Sequence, residues 1–569
     1  MKRVLITVLL FSAALSAAAQ AFDAVWGSTD IRYPSSLDSV PDVAVDKAIA
    51  WRGERVNFQL VVTNKGFSDK ERGRLNGMGL NEWSEERRFE YIFSDLKCGG
   101  SVIPAANIAG GFVEPVITDK FIGCGRHEVD AYGENLVADR ITAGGSAVIP
   151  SGVSRGLWFT VQVPQDVKPG TYKGFVELLC GSKKTKLGYS IKVLDRVLPA
   201  PKEWAFHLDL WQNPYAVARV HKVELWSKEH FDALRPYMLK LAAGGQKAIT
   251  ATLIDRPWDG QTYDPFGSMV TWVKRADGSW WYDFTIFDRW VEFMMSCGID
   301  KEITCFSMIP WKLSFRYYDQ ATHSHKYINC APGEEAYTRF WGGMLSAFAA
   351  HLKEKGWFDK TFISMDERSL QQMQAAIKVI KEYAPGMKIS MAGNYHPEIE
   401  ADIHDYCLDV FAYGAYTPEL LARRKAEGKV STYYTCCSAE YPNVFTFSAP
   451  SDAEFIALEA LAKGLDGYLR WAYNSWTVTT EEDSRFTAWP AGDTYIIYPF
   501  SASSIRWERL VQGIQQYEKY RILLAEAKAN GDTSRIDALG KLLESIDIKK
   551  ISTDSEKIVN GFRNTLNNM

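Results

Sequence analysis

Between Trp204 and Trp476 the chain switches repeatedly from a short apolar run to a longer segment whose apolar residues recur every three to four positions. Eight such runs can be counted: Trp204–Trp211, Ala248–Asp255, Glu302–Trp311, Thr361–Glu367, Lys388–Tyr395, Asp409–Tyr416, Val430–Cys437 and Gly467–Trp476. A run of this length suits a strand buried on both faces, and the wider spacing suits a helix with one apolar side. The helical stretches include Lys228–Ala243, Phe284–Cys297, Glu334–Lys355, Leu370–Tyr383, Glu419–Glu427 and Asp452–Lys463. Eight alternations predict a (β/α)8, TIM-like barrel. A doubly wound open sheet would call for a glycine-rich phosphate turn after its first strand, and Trp211-Gln-Asn-Pro-Tyr215 is not one.

The flanks differ in texture. From Phe22 to Leu198 the pattern is short alternating strands and turns, as in Leu157-Trp-Phe-Thr-Val-Gln-Val163 and Leu187-Gly-Tyr-Ser-Ile-Lys-Val193. That predicts a β-sandwich over 22–198, leaving through the linker Leu198-Pro-Ala-Pro201. The barrel is expected over 199–530, with Ser504 to Asn530 as its last helix. Residues 531–569 carry two amphipathic segments and read as a C-terminal helical tail. The whole is a multidomain β plus α/β chain.

Residues 1–21 read as a secretory signal. Lys2 and Arg3 precede an apolar stretch from Val4 to Leu15, and Ala17-Ala-Ala-Gln-Ala21 supplies small residues for cleavage. A secreted or periplasmic location is the expectation, with no membrane span, because that stretch is short and no second one follows. A formal net charge of -4 and the lack of any Lys/Arg-rich run leave no basis for nucleic-acid binding. Nine cysteines are too few for a dense disulfide framework, and the vicinal pair Cys436-Cys437 is expected as two reduced, buried thiols. No metal-ligand set is read: His323-Ser-His325 lacks companions at zinc-like spacing and fits a solvated loop. No cofactor motif is present.

Active sites of such barrels are built at the carboxyl ends of the strands. The fourth run ends in Asp366-Glu367, two ionisable groups closing a buried strand, which is costly unless they meet a polar site. Around them the expected strand ends bring His207, Asn394, Tyr413, Tyr416, Trp471, Asn474 and Trp476, and the last loop brings Asp493 and Tyr495. Carboxylates, amides and rings on one rim suit a neutral polyhydroxylated ligand. Adjacent acids cannot flank a glycosidic bond as an ordinary acid–nucleophile pair. They can serve a reaction in which a sugar's own 2-acetamido oxygen attacks the anomeric carbon. One acid then protonates the leaving oxygen and the other orients the acetamido N–H.

Phe362-Ile-Ser-Met-Asp-Glu367 resembles the catalytic strand of glycoside hydrolase family 123, the retaining N-acetyl-β-galactosaminidases. The likeness extends to Trp51-Arg-Gly-Glu-Arg-Val-Asn-Phe-Gln59, Pro169-Gly-Thr-Tyr-Lys-Gly174, Gly467-Tyr-Leu-Arg-Trp-Ala-Tyr-Asn-Ser-Trp476, Gly492-Asp-Thr-Tyr-Ile-Ile-Tyr-Pro499 and Ser504-Ile-Arg-Trp-Glu-Arg509. It implies an exo-acting β-N-acetylgalactosaminidase acting on glycans or glycosphingolipids. Asp366 would polarise the acetamido nitrogen and Glu367 would be the acid/base. Tyr416 or Tyr413 would donate to the acetamido oxygen, and Trp471 and Trp476 would wall the pocket. Asn394, Asn474, Asp493 and Tyr495 would contact hydroxyls. GalNAc over GlcNAc follows from the resemblance alone. A hydrolase of β-GlcNAc or of non-acetylated sugars on the same barrel, and a non-catalytic glycan-capture protein, are the alternatives.

Overall fold

The structure is a computed structural model that describes residues 22–33, 45–67, 72–73, 76–78 and 85–569. The expected signal segment lies outside the described residues.

The N-terminal part is two packed sheets. One runs in the order Phe22–Gly27, Arg55–Asn64, Val153–Gln162, Ile108–Thr118, Asn135–Ile141, Ser503–Ser504. The other contains Lys47–Arg52, Lys183–Val197, Gly170–Cys180, Arg87–Phe93 and Ser146–Ile149, with a small hairpin at its side. Alternation makes the sandwich: Phe58, Leu60 and Val62 from the first sheet meet Tyr172, Val176 and Ile191 from the second in one core. The strand Ser503–Ser504 pairs with Asn135–Ile141, so a piece of chain far downstream completes a sandwich sheet.

The barrel strands are β1 (His207–Leu210), β2 (Ala248–Thr252), β3 (Glu302–Phe306), β4 (Thr361–Asp366), β5 (Lys388–Gly393), β6 (Asp405–Asp409), β7 (Val430–Tyr434) and β8 (Gly467–Arg470). All pair in parallel in the order β1-β8-β7-β6-β5-β4-β3-β2. The barrel is nearly closed. At the seam between β1 and β2 one backbone bond remains, from Lys247 N to Leu208 O at 2.9 Å. Two glutamine side chains supply the rest: Gln246 Oε1 accepts from Leu210 N at 2.9 Å, and Gln212 Oε1 accepts from Thr250 N at 2.9 Å. A side-chain amide presents the same donor and acceptor as a peptide, so it can stand in for a missing ladder rung.

The helices are α1 (Pro214–His221), α2 (Lys228–Ala242), α3 (Thr285–Ser296), α4 (Glu335–Glu354), α5 (Leu370–Tyr383), α6 (Pro418–Ala426), α7 (Pro450–Lys463) and α8 (Ile505–Ala529). A small sheet of Thr271–Lys274, Trp280–Asp283, Ser314–Asp319 and Ser324–Asn329 is inserted around β3. Helix α8 is buried over most of its length because it is wedged between barrel and sandwich. Its charges are paired on both sides: Arg506 with Asp139 at 2.8 Å and Lys519 with Glu54 at 2.6 Å on the sandwich, and Arg509 with Glu454 of α7 at 2.6 Å on the barrel. The tail forms α9 (Thr533–Glu544) and α10 (Ile551–Asn567), which pack on α7 and α8.

One strand lies elsewhere than expected. The sixth is Asp405–Asp409, not Asp409–Tyr416. Its apolar centre is only Tyr406-Cys-Leu408, bracketed by acids, whereas the more aromatic Phe411 to Tyr416 stretch is a turn with a 3-10 segment at Tyr413–Ala415.

Candidate active site

Asp366 is the last residue of β4 and Glu367 the first of the bend that follows, and both line a single cavity of about 230 Å³ at the carboxyl end of the barrel. The turn between them lets consecutive side chains reach one space. Asp366 is buried. Its Oδ1 pairs with the Arg368 guanidinium at 2.9 Å and its Oδ2 accepts from Trp311 Nε1 at 3.3 Å. Arg368 is fixed in turn by a bond from Nε to Ile309 O at 2.8 Å and by lying 4.3 Å from the Trp311 ring centroid. Burial raises Asp366 to about 6, Arg368 opposes the rise, and the neighbouring Glu367 adds to it. The group is therefore an anion at neutral pH, ready to accept a hydrogen bond.

Glu367 is exposed to the cavity, and Tyr434 OH donates to its Oε1 at 2.7 Å. Tyr434 ends β7, and burial together with the Glu367 charge pushes its hydroxyl far above the ordinary range, so it stays a donor. Asp409 at the end of β6 is raised by burial and by Glu367. Asp493 is held at 2.7 Å by Arg470 and accepts from Trp471 Nε1 at 3.4 Å; burial lifts it to about 6.

The walls are aromatic. Trp211 stacks on Trp258 with centroids 4.9 Å apart, Phe306 closes against both, and Trp471 meets Trp489 edge-on at 5.6 Å. Such faces suit the C–H side of a sugar ring while the acids take its polar edge. The sandwich also contributes. Its Cys124 lines the cavity and is disulfide-bonded to Cys437, just beyond β7. The expectation of two reduced thiols at Cys436-Cys437 is thus corrected: Cys437 has a partner 313 residues away in the chain, and Cys436 alone stays free.

Among known families, the description "glycoside hydrolase 123, catalytic domain" matches residues 211–523 and the N-terminal domain of the same family matches 81–179. The chain belongs to glycoside hydrolase family 123. A solved family 123 glycoside hydrolase from Clostridium perfringens, described for glycolipid glycan hydrolysis, is 26% identical and superposes with a TM-score of 0.83 over 96% of this chain and 98% of that one. A β-glucuronidase from Parabacteroides merdae is 8% identical, with a TM-score of 0.30 over 88% of this chain and 52% of that one, too low for any shared detail. No curated protein matches the chain.

In this family 123 glycosidase the residues expected at the site divide into two groups. Asp366, Glu367, Trp471 and Asp493 line the cavity together. The others do not. Tyr416 donates to Tyr406 O inside the wall, and Tyr413 donates to Glu459 at 2.5 Å behind β7, both because the sixth strand ends earlier than expected. Asn474 is clasped to the Asn213 backbone at 2.9 Å in both directions. Trp476 donates to Ile497 O at 2.8 Å and packs on Tyr237. Tyr495 is fully buried. Asn394 is exposed beside the cavity, its carbonyl taken by Tyr406 OH. His207 begins β1 and so sits at the other end of the barrel. Tyr434, Trp258, Trp311 and Trp489 were missed. Tyr434 had a signal, since it ends a strand one step out of phase with the outward Tyr433. Trp311 had one too, as the last residue of the expected third run, whereas Trp258 and Trp489 come from loops and had none.

Proposed function

We propose that the chain is an exo-acting retaining β-N-acetylgalactosaminidase that releases terminal β-GalNAc from glycans or glycosphingolipids with the substrate's acetamido group as nucleophile. The carrying observation is that adjacent Asp366 and Glu367 open into one small aromatic cavity, which no ordinary acid–nucleophile pair spaced across a glycosidic bond would need. The glycolipid chemistry named for the clostridial enzyme supports the substrate class.

In the first step the acetamido oxygen bonds to the anomeric carbon as the glycosidic C–O bond breaks. Glu367 gives its proton to the leaving oxygen, and Asp366 accepts the acetamido N–H and offsets the positive charge of the oxazolinium ion. Water then attacks the anomeric carbon, Glu367 takes its proton, and the ring opens to a product of retained configuration. Tyr434 orients the Glu367 carboxylate. The small volume of the cavity, sized for a terminal unit, supports exo action. The disulfide suits an oxidising compartment, in line with export through the N-terminal segment.

The test is turnover of β-GalNAc substrates with good and poor leaving groups. Glu367→Gln is expected to lose at least about a hundredfold on poor leaving groups and much less on activated aryl glycosides. Asp366→Asn is expected to lose activity on both. GalNAc-thiazoline should inhibit the wild type. Normal cleavage by both variants, or an inverted product, rejects the mechanism; equal turnover of β-galactosides rejects the acetamido requirement.

A further inference from the structure

At the end of the barrel away from the catalytic cavity, β1, β3 and β6 begin with His207, Glu302 and Asp405, and all three side chains point to the axis. One donor atom from each lies within 4.8 Å of the others. All three residues are almost wholly buried, at 3%, 6% and 4% exposure. His207 Nε2 is 3.5 Å from Asp405 Oδ2 and 3.6 Å from Glu302 Oε2. Those separations exceed the 2.7–3.2 Å of a good N–H···O bond. His207 Nε2 and Glu302 Oε2 have no hydrogen-bond partner, and neither does Asp405 Oδ1, the other oxygen of the carboxylate that faces His207.

An orphaned donor atom on each of three buried groups is an unusual debt for a protein core. It is repaid if something sits between them. Tetrahedral ligands at about 2.0–2.2 Å from a metal lie about 3.3–3.6 Å from one another, which matches the His207 separations seen here. Charge points the same way. Asp209 and Asp466 stand nearby, so the floor gathers four carboxylates around one imidazole. Among the described residues no Lys or Arg forms an ion pair with Glu302 or Asp405. We propose that His207, Glu302 and Asp405 bind a divalent cation of the zinc type, which staples β1 to β3 and β6 beneath the incompletely laddered β1–β2 seam. One imidazole and two carboxylates are an accepted donor set for such an ion and would neutralise it, with water completing the coordination. Ligands 95 and 103 residues apart leave no spacing motif, which is why the linear chain does not announce them.

The site lies at the far end of the barrel, so its test is separate from that of the catalytic reading. The full chain is produced in zinc-supplemented and in chelator-treated medium and gel-filtered in EDTA to strip surface metal; zinc is then measured by mass spectrometry and Tm by calorimetry. About one equivalent of zinc is expected in the first preparation, together with a Tm higher than in the second, since an ion bound only by the folded state stabilises it. Asp405→Asn and Glu302→Gln should each retain under about a fifth of that metal and lose the Tm difference. The doubly substituted His323→Ala, His325→Ala protein should keep both. Aryl-glycoside turnover at 25 °C should not track zinc content. Wild-type protein without metal and with equal Tm in the two media overturns the proposal, and so does zinc content unchanged by Asp405→Asn. The two wild-type arms decide the matter even if a variant fails to fold.

Discussion

Asp366 carries its charge where charge is unfavourable. Its pKa rises from 3.8 to about 6, so the folded chain holds this proton more tightly than the unfolded one. The stabilisation is complete below about pH 4 and is lost as pH climbs through 6, a swing on the order of 3 kcal/mol. In the proposed mechanism activity runs the other way, because only the anion would accept the acetamido N–H. Asp366→Asn should therefore flatten part of the fall in Tm between pH 4.5 and 7 while removing turnover; a variant with the wild-type Tm profile would refute the burial account. Tyr434 is a second residue with one task, its 2.7 Å bond to Glu367. Tyr434→Phe leaves the ring packed and removes that bond. It should cut kcat ten- to hundredfold on poor leaving groups, less on activated ones, at about 1 kcal/mol of stability. Equal losses on both substrates would mean that Tyr434 acts on binding and not on proton transfer.

Elements set how closely these groups can approach. Gly393 ends β5 directly beside the Asp366-Glu367 turn: a Cβ there would lie 3.0 Å from Glu367 Cα and 3.1 Å from its nitrogen. Gly393→Ala must push that backbone by a few tenths of an ångström. A tenfold or greater fall in kcat with only a few degrees in Tm is expected, since small misplacement of a reacting group is felt strongly in rate. Gly467 makes the contrast, because its Cβ would meet His207 O at 2.0 Å within the β1–β8 ladder. Gly467→Ala should lower Tm markedly, and an unchanged Tm would contradict the close pairing. Elements were also where sequence was most legible. Leu370–Tyr383 has the expected limits, and Ile505–Ala529 lies within a residue of them, because period and caps are local. Asp366-Glu367 could be read as facing a polar cavity because it closes a buried run. The sixth strand could not, since its apolar triplet is shorter than the aromatic turn after it. Nor could Trp258 and Trp489, which join Trp471 in the wall only when loops distant in sequence converge.

At the scale of the whole molecule the rim of the candidate site depends on the sandwich. The segment around Cys124 crosses to the barrel, where Gly123 N bonds Cys437 O and His127 N bonds Thr487 O, both at 2.9 Å, and the disulfide seals the crossing. A bridge closing a loop of this size restricts the unfolded chain by an amount on the order of 5 kcal/mol in the chain-entropy account. The backbone bonds and the pairing of Arg485 with Asp130 at 3.3 Å persist without it. The segment should then stay docked but loosen. Cys124 and Cys437 are best changed together to serine, because Cys436 Sγ lies 3.9 Å from Cys437 Sγ and would otherwise capture it. The double variant should unfold at a lower temperature, and its KM should rise several-fold while kcat with activated substrates changes less than twofold, since Asp366, Glu367 and Tyr434 all stand on barrel strands or the turn after them. A variant that keeps the wild-type KM would place Cys124 outside the substrate's reach. One that loses kcat in step with KM would mean that the sandwich positions the acids themselves and does not merely wall the cavity in front of them.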